Sequence, residues 1–114
     1  MLTPVIHVGE LEIDLVHRRA RVQGRELHLT GLELSLLWLL AANTGRVLTR
    51  DEILDEVWGN EFAAGSNVVD RHVRTLRAKL RDDWRRPRYI ATVPGQGYCF
   101  VLAGVAPAPI SSGR

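Results

Sequence analysis

This chain has almost nothing that would staple it or hold it in a membrane. Among 114 residues there is one cysteine, Cys99, so no intrachain disulfide can form, which fits a reducing compartment. The longest unbroken apolar run is seven residues, Leu36 to Ala42, against the roughly 20 that a membrane-spanning helix needs. From Met1 to Asp14 no basic stretch is followed by an apolar one, so no secretory signal is visible. His7, His17, His28 and His72 show no metal-ligand spacing. No Ser, His and acid set carries a local catalytic signature. Gly95-Gln96-Gly97 lacks the Lys-Ser/Thr ending and following helix of a phosphate loop. The expectation is a cytoplasmic protein that is not an enzyme and needs no metal, cofactor or membrane.

What is present is an ordinary globular balance, 46% hydrophobic and 25% charged, in one domain's length. The net charge of +2 hides an asymmetry. Residues 1–66 carry six cations against ten acids, and residues 67–114 carry nine against three. Eight of those nine lie between Arg71 and Arg88. Such a segment is a candidate polyanion-binding face, or else a solvated basic helix.

The first 29 residues read as four short strands, Ile6–Val8, Leu11–Asp14, Arg19–Val22 and Glu26–Leu29, with Gly24 suited to a hairpin turn. Thr30-Gly31-Leu32-Glu33 and Thr49-Arg50-Asp51-Glu52 are capping boxes, each opening a helix. The first helix, about 31–43, is leucine-rich on most faces and should be buried. The second covers about 50–58, and Val47-Leu48 before it reads as a short apolar link. A third helix, 67–83, is capped by Ser66 or Asn67 and broken before Pro87. Two strands then flank Pro94-Gly95, a pair suited to a type II turn, forming a hairpin over 88–102. The tail, 103–114, has little to bury and is expected to be disordered. Trp38 reads as core, Trp58 as a hinge between core and surface, and Trp84 as a packing lid. Tyr89, Phe100 and Cys99 read as strand packing.

On a helical wheel Val69, Val73, Leu76 and Leu80 form the core stripe of the third helix. Asn67, Arg71, Arg74, Thr75 and Ala78 gather on the opposite side. No acid occurs from Arg71 to Arg81, whereas a merely solubilising helix would mix Glu with Lys to gain i,i+4 pairs. Cations at the centre and edges, with small residues between them, suit a helix lying in a DNA major groove.

A helix, a loop, a basic helix and a hairpin describe a winged helix-turn-helix. The chain resembles the effector domains of OmpR/PhoB-type response regulators over about Ile6 to Leu102. The matching stretches are Leu29-Thr30-Gly31-Leu32-Glu33, Gly45-Arg46-Val47-Leu48-Thr49-Arg50-Asp51, Val57-Trp58-Gly59, Val69-Asp70-Arg71-His72-Val73, Leu76-Arg77-Ala78-Lys79-Leu80 and Thr92-Val93-Pro94-Gly95-Gln96-Gly97-Tyr98. The resemblance implies an α+β fold, with a four-stranded antiparallel sheet, three helices and a C-terminal wing. It implies bacterial transcription regulation by sequence-specific binding of double-stranded DNA, as tandem protomers on direct repeats. Base-facing positions would be Asp70, Arg71 and Thr75. Positions near phosphate would be Trp58, Asn67, His72, Arg74 and Arg77, with Thr92 and Tyr98 from the wing. Arg50 borders the same face. The loop carrying Asn60, Glu61 and Phe62 would stand where such proteins contact RNA polymerase. Pro94 and Cys99 occupy two positions where family wings carry Arg, so the wing is expected to position the domain and add little minor-groove reading. A phosphorylatable receiver domain does not fit in 114 residues, which leaves an excised effector domain or a stand-alone regulator. The rival expectation is a winged-helix module whose basic face meets an acidic protein.

Overall fold

Turn glycines and capping threonines punctuate the chain, and the elements fall between them. A computed structural model describes residues 5–59 and 67–101. Strands β1 (Val5–Val8), β2 (Leu11–Asp14), β3 (Arg19–Val22) and β4 (Arg25–Leu27) form an antiparallel sheet in sequence order. Its register pairs Leu11 with Val22 and Ile13 with Ala20, which aligns buried residues on one face. Gln23 and Gly24 both have positive φ, 53° and 79°, as a two-residue type I′ hairpin turn requires. That turn starts β4 at Arg25 and ends it at Leu27, short of the expected Leu29, because Thr30 must already be free to cap a helix.

Helix α1 (Gly31–Ala42) opens on the expected capping box: Glu33 N–H donates to Thr30 Oγ1 at 3.2 Å, and Thr30 N–H donates to Glu33 Oε1 at 3.0 Å. Leu36, Leu37 and Leu40 are fully buried, each contributing roughly 1.5–3 kcal/mol relative to exposure. Leu32 is exposed, so the helix has one wet edge. Trp38 is half-buried against the core.

Val47–Thr49 is a strand, β5, where the sequence suggested only a link. It pairs antiparallel with β7 (Gly97–Phe100), which also pairs with β6 (Ile90–Val93). The wing is therefore part of a three-stranded sheet ordered β5-β7-β6. Isolated runs of three residues do not announce a strand; the partner supplies the stabilisation. Gly97 permits the pairing, because a Cβ there would lie 2.0 Å from the Leu48 carbonyl oxygen. The β6–β7 turn matches expectation: Gln96 N–H donates to Val93 O at 3.0 Å, and Gly95 has φ 76°.

Helix α2 (Arg50–Ile53) opens on the second capping box, with Thr49 and Glu52 in the reciprocal roles. It continues as a π-helical segment, Leu54–Trp58, whose wider turn shows in the Gly59 N–H bond to Leu54 O at 3.1 Å. Helix α3 (Val68–Leu80) is shorter than the expected 67–83. The Asn67 side chain makes no cap hydrogen bond, while its carbonyl accepts from the Arg71 N–H at 3.0 Å; Ser66 lies outside the described residues. Arg81 ends α3 in a left-handed conformation, φ 58°. Its N–H bonds Ala78 O and the Asp82 N–H bonds Arg77 O, a Schellman closure usually made with glycine.

The core stripe Val69, Val73, Leu76 and Leu80 is buried as expected, joined by Val68. Across it, Lys79 of α3 donates to Glu33 of α1 at 2.6 Å. Tyr89 and Phe100 stack with centroids 6.0 Å apart. Trp84 is no packing lid: it is 61% exposed, because α3 has already ended and the chain turns outward. The expected polymerase-contact residues Asn60, Glu61 and Phe62, and the tail 103–114, lie outside the described residues.

Candidate nucleic-acid interface

The outer face of α3 follows from its wheel. Opposite the buried stripe, Asn67, Arg71, Arg74, Thr75 and Ala78 are all exposed. Arg71 and Arg74 bring charge, while Thr75 and Ala78 keep the surface between and beyond them low. Thr75 Oγ1 donates to Arg71 O at 3.2 Å, which leaves its oxygen able to accept. Guanidinium groups exposed on this face can pair with base acceptors or phosphates.

The flanks of α3 are organised by contacts that no local pattern foretold. Asp70 Oδ1 accepts from Arg50 Nε at 2.8 Å and from the Tyr98 hydroxyl. The Arg50 guanidinium carbon lies 5.2 Å from the Tyr98 ring centroid, and that of Arg77 lies 5.6 Å from it. Arg77 also donates through Nη2 to Ile90 O at 3.0 Å and to Thr92 Oγ1 at 2.7 Å. The residues the sequence assigned separately to bases and phosphates thus form one network joining α2, α3 and the wing. Burial pushes the Asp70 carboxyl up, but the hydrogen bonds from Tyr98 and Arg50, with the Arg50 and Arg74 charges, hold it below its ordinary value. Burial and the bond to Asp70 push the Tyr98 hydroxyl up. Asp70 is therefore an anion and Tyr98 a neutral donor at neutral pH, the combination the network requires.

On the N-terminal side of α3, His72 Nδ1 bonds Val68 O at 2.9 Å, and its ring meets Trp58 edge-on with centroids 5.0 Å apart. The half-buried Trp58 indole is the hinge the sequence suggested. On the other side, α3 and the wing enclose an open groove of about 370 Å³ lined by Asp70, Arg74, Arg77, Ala78, Asp82, Trp84 and Tyr98. Among the described residues no His, Cys, Asp and Glu grouping could hold a metal ion, and no helix is long and apolar enough to cross a membrane.

The sequence placed Arg71, Thr75 and Arg74 on the outer face, and the structure exposes all three there. It did not anticipate that Arg50, Asp70, Arg77, Thr92 and Tyr98 bind one another. The acid at Asp70, alone on an otherwise cationic helix, was the available signal, since a lone acid among cations tends to be paired. Nor did it anticipate Asp82, whose carboxylate accepts from the N–H groups of Arg88 at 2.7 Å, Tyr89 at 3.2 Å and Ile90 at 2.8 Å and so fixes the start of the wing.

Comparison with known proteins places this geometry in company. The family model described as "Transcriptional regulatory protein, C terminal" matches residues 24–100. The transcriptional activator protein IrlR of Burkholderia pseudomallei is 44% identical over 94 residues, covering 82% of this chain and 41% of that protein. The DNA-binding response regulator MtrA of Mycolicibacterium smegmatis is 39% identical, again over 82% of this chain and 41% of its own length. The chain thus spans about two fifths of these relatives. Among solved structures, the Klebsiella pneumoniae RstA DNA-binding domain in complex with the RstA box superposes with a TM-score of 0.80 at 33% identity, covering 86% of this chain and 97% of that one. The DNA-binding domain of CpxR from E. coli gives 0.77 at 33% identity, over 90% of this chain and 100% of that one.

Proposed function

The chain belongs to the OmpR/PhoB-type family of transcriptional regulatory protein C-terminal domains, and on that footing we propose that it binds double-stranded DNA sequence-specifically, with α3 in the major groove. The observation that carries this reading is the exposed outer face of α3, where Arg71 and Arg74 flank the low surface of Thr75 and Ala78 opposite a fully buried stripe. Arg71, central on that face, reads a base, and Thr75 contacts a neighbouring base edge. Arg74, His72, Asn67 and Trp58 border phosphates. Arg50, Arg77, Thr92 and Tyr98 meet the backbone as a preassembled unit, and their bonds to Asp70 and to one another support a positioning role for Asp70 in place of a base contact. Working on DNA in a bacterial cell would put the protein in the cytoplasm. Kinship with response regulators supports tandem protomers on direct repeats, and an RNA polymerase contact through Asn60, Glu61 and Phe62.

Selection of bound duplexes from random DNA tests the reading directly. A single recurring half-site is expected, with log K falling against log salt at a slope of about −4 to −5 if roughly five phosphates are neutralised. Enrichment of no sequence, with a slope near zero, overturns it.

A further inference from the structure

Among the described residues Trp84 is the most exposed large apolar side chain, at 61%. An indole left in water forgoes the largest apolar burial any side chain offers, so its position calls for an occupant. It stands in the connection between α3 and β6 and lines the same groove as Arg74 and Ala78 of the outer face and Tyr98 of the wing. The Arg85 guanidinium carbon lies 5.6 Å from its ring centroid. The connection is braced from within. The Asp82 carboxylate takes the N–H groups of Arg88, Tyr89 and Ile90. Asp83 Oδ1 accepts from Arg85 N–H at 3.0 Å, and Asp83 pairs with Arg86 in an isolated antiparallel bridge. The Asp82 carboxylate and one Asp83 oxygen are thereby committed to backbone N–H groups, while Asp83, Arg85 and Arg86 stay exposed.

We propose that Trp84 and Arg85 form a second nucleic-acid-backbone site, holding a phosphodiester of the strand that borders the groove at the C-terminal end of α3. This rests on the DNA-binding reading above and extends its footprint past the recognition helix. The chemistry matches on each count. An indole N–H only donates, and a phosphate only accepts. The indole face packs on a deoxyribose, and Arg85, ordered over the ring, presents a fork suited to phosphate oxygens. Along the connection Arg81, Arg85, Arg86 and Arg88 outnumber Asp82 and Asp83, so the local charge favours an anion, and the groove shares Arg74 and Ala78 with the exposed face of α3.

The test uses the whole chain labelled with 5-fluorotryptophan, which gives three fluorine resonances, for Trp38, Trp58 and Trp84; Trp84→Phe assigns the last. The probes are the duplex selected from random DNA and a scramble of it, each about 30 base pairs long so that flanking backbone is present. The Trp84 resonance should move as either duplex is added. Trp84→Ala should weaken both by about five-fold or more, and by the same factor, since phosphate contacts carry no sequence information. Arg85→Ala should flatten the salt slope by about one. The thermal midpoint of Trp84→Ala should stay at the wild-type value, because the indole supports no core. A static Trp84 resonance, with Trp84→Ala within about two-fold of wild type on a duplex that wild type binds saturably, overturns the proposal. A wild type that binds neither duplex fails the DNA-binding reading itself, and this site with it.

Discussion

Asp70 and Arg71 are neighbours on α3 with opposite fates. The Asp70 carboxylate turns inward to Arg50 and Tyr98, while Arg71 points outward and is exposed. Arg71→Ala should therefore weaken the preferred duplex by roughly 1–3 kcal/mol and relax preference at one base position; equal weakening on every sequence would reassign it to phosphate. Asp70→Asn keeps the shape but removes the charge that holds Arg50 and strengthens the hydrogen bond accepted from the Tyr98 hydroxyl. The expected result is weaker binding of selected and scrambled duplexes alike, with base preference unchanged in a repeated selection. A changed preference at a single position would make Asp70 a base reader. A polar residue's position on a wheel predicts which way it leaves the helix, but not whether a side chain from another element intercepts it.

Two elements carry local features whose cost or tightness can be measured. Strand β7 reaches β5 only because Gly97 has no side chain; a Cβ would meet the Leu48 carbonyl oxygen at 2.0 Å and the Thr49 Cα at 2.9 Å. Gly97→Ala should force the strands apart and destabilise the domain by roughly 2–3 kcal/mol, seen as a lower denaturant midpoint. Helix α3 closes on Arg81 at φ 58°, a conformation glycine adopts without the steric penalty of a Cβ. Arg81→Gly should stabilise the domain by up to about 1 kcal/mol. An unchanged or lower midpoint would mean the arginine side chain repays its backbone strain through contacts of its own.

At the scale of the whole molecule, an ion pair ties α3 to α1. Glu33 is 4% exposed and joins the capping of α1 to Lys79 of α3. Burial pushes its carboxyl up, but the Lys79 hydrogen bond and charge, together with the Thr30 N–H, hold it below the ordinary 4.5. A folded value lower than the unfolded one contributes stability that is complete above the unfolded value and is lost as pH falls through the folded one. The thermal midpoint should be insensitive to this group at neutral pH and should fall once pH drops below about 4.5. Asp70, also held low, adds a smaller share at still lower pH because its carboxylate is partly exposed. Lys79→Ala strands a buried carboxylate and should cost roughly 1–3 kcal/mol at neutral pH. Its acid-induced drop should be smaller than that of wild type, since protonating Glu33 then relieves a penalty.

The amino-acid sequence by itself determined the features whose chemistry closes within a few residues: both capping boxes, the Gln23-Gly24 and Pro94-Gly95 turns, the buried stripe of α3 and the exposed arginines opposite it. Each needs only backbone geometry and side chains three or four positions apart, so spacing is enough to see it. Tertiary structure alone decided the rest. Val47–Thr49 became a strand because β7 lies alongside it. Arg50 and Tyr98 converge on Asp70 from 20 and 28 residues away. Trp84 is left in solvent because α3 ends at Leu80 and Asp82 turns the chain toward β6. Such contacts depend on where whole elements dock, which is set by how the core packs and not by any run of neighbouring residues.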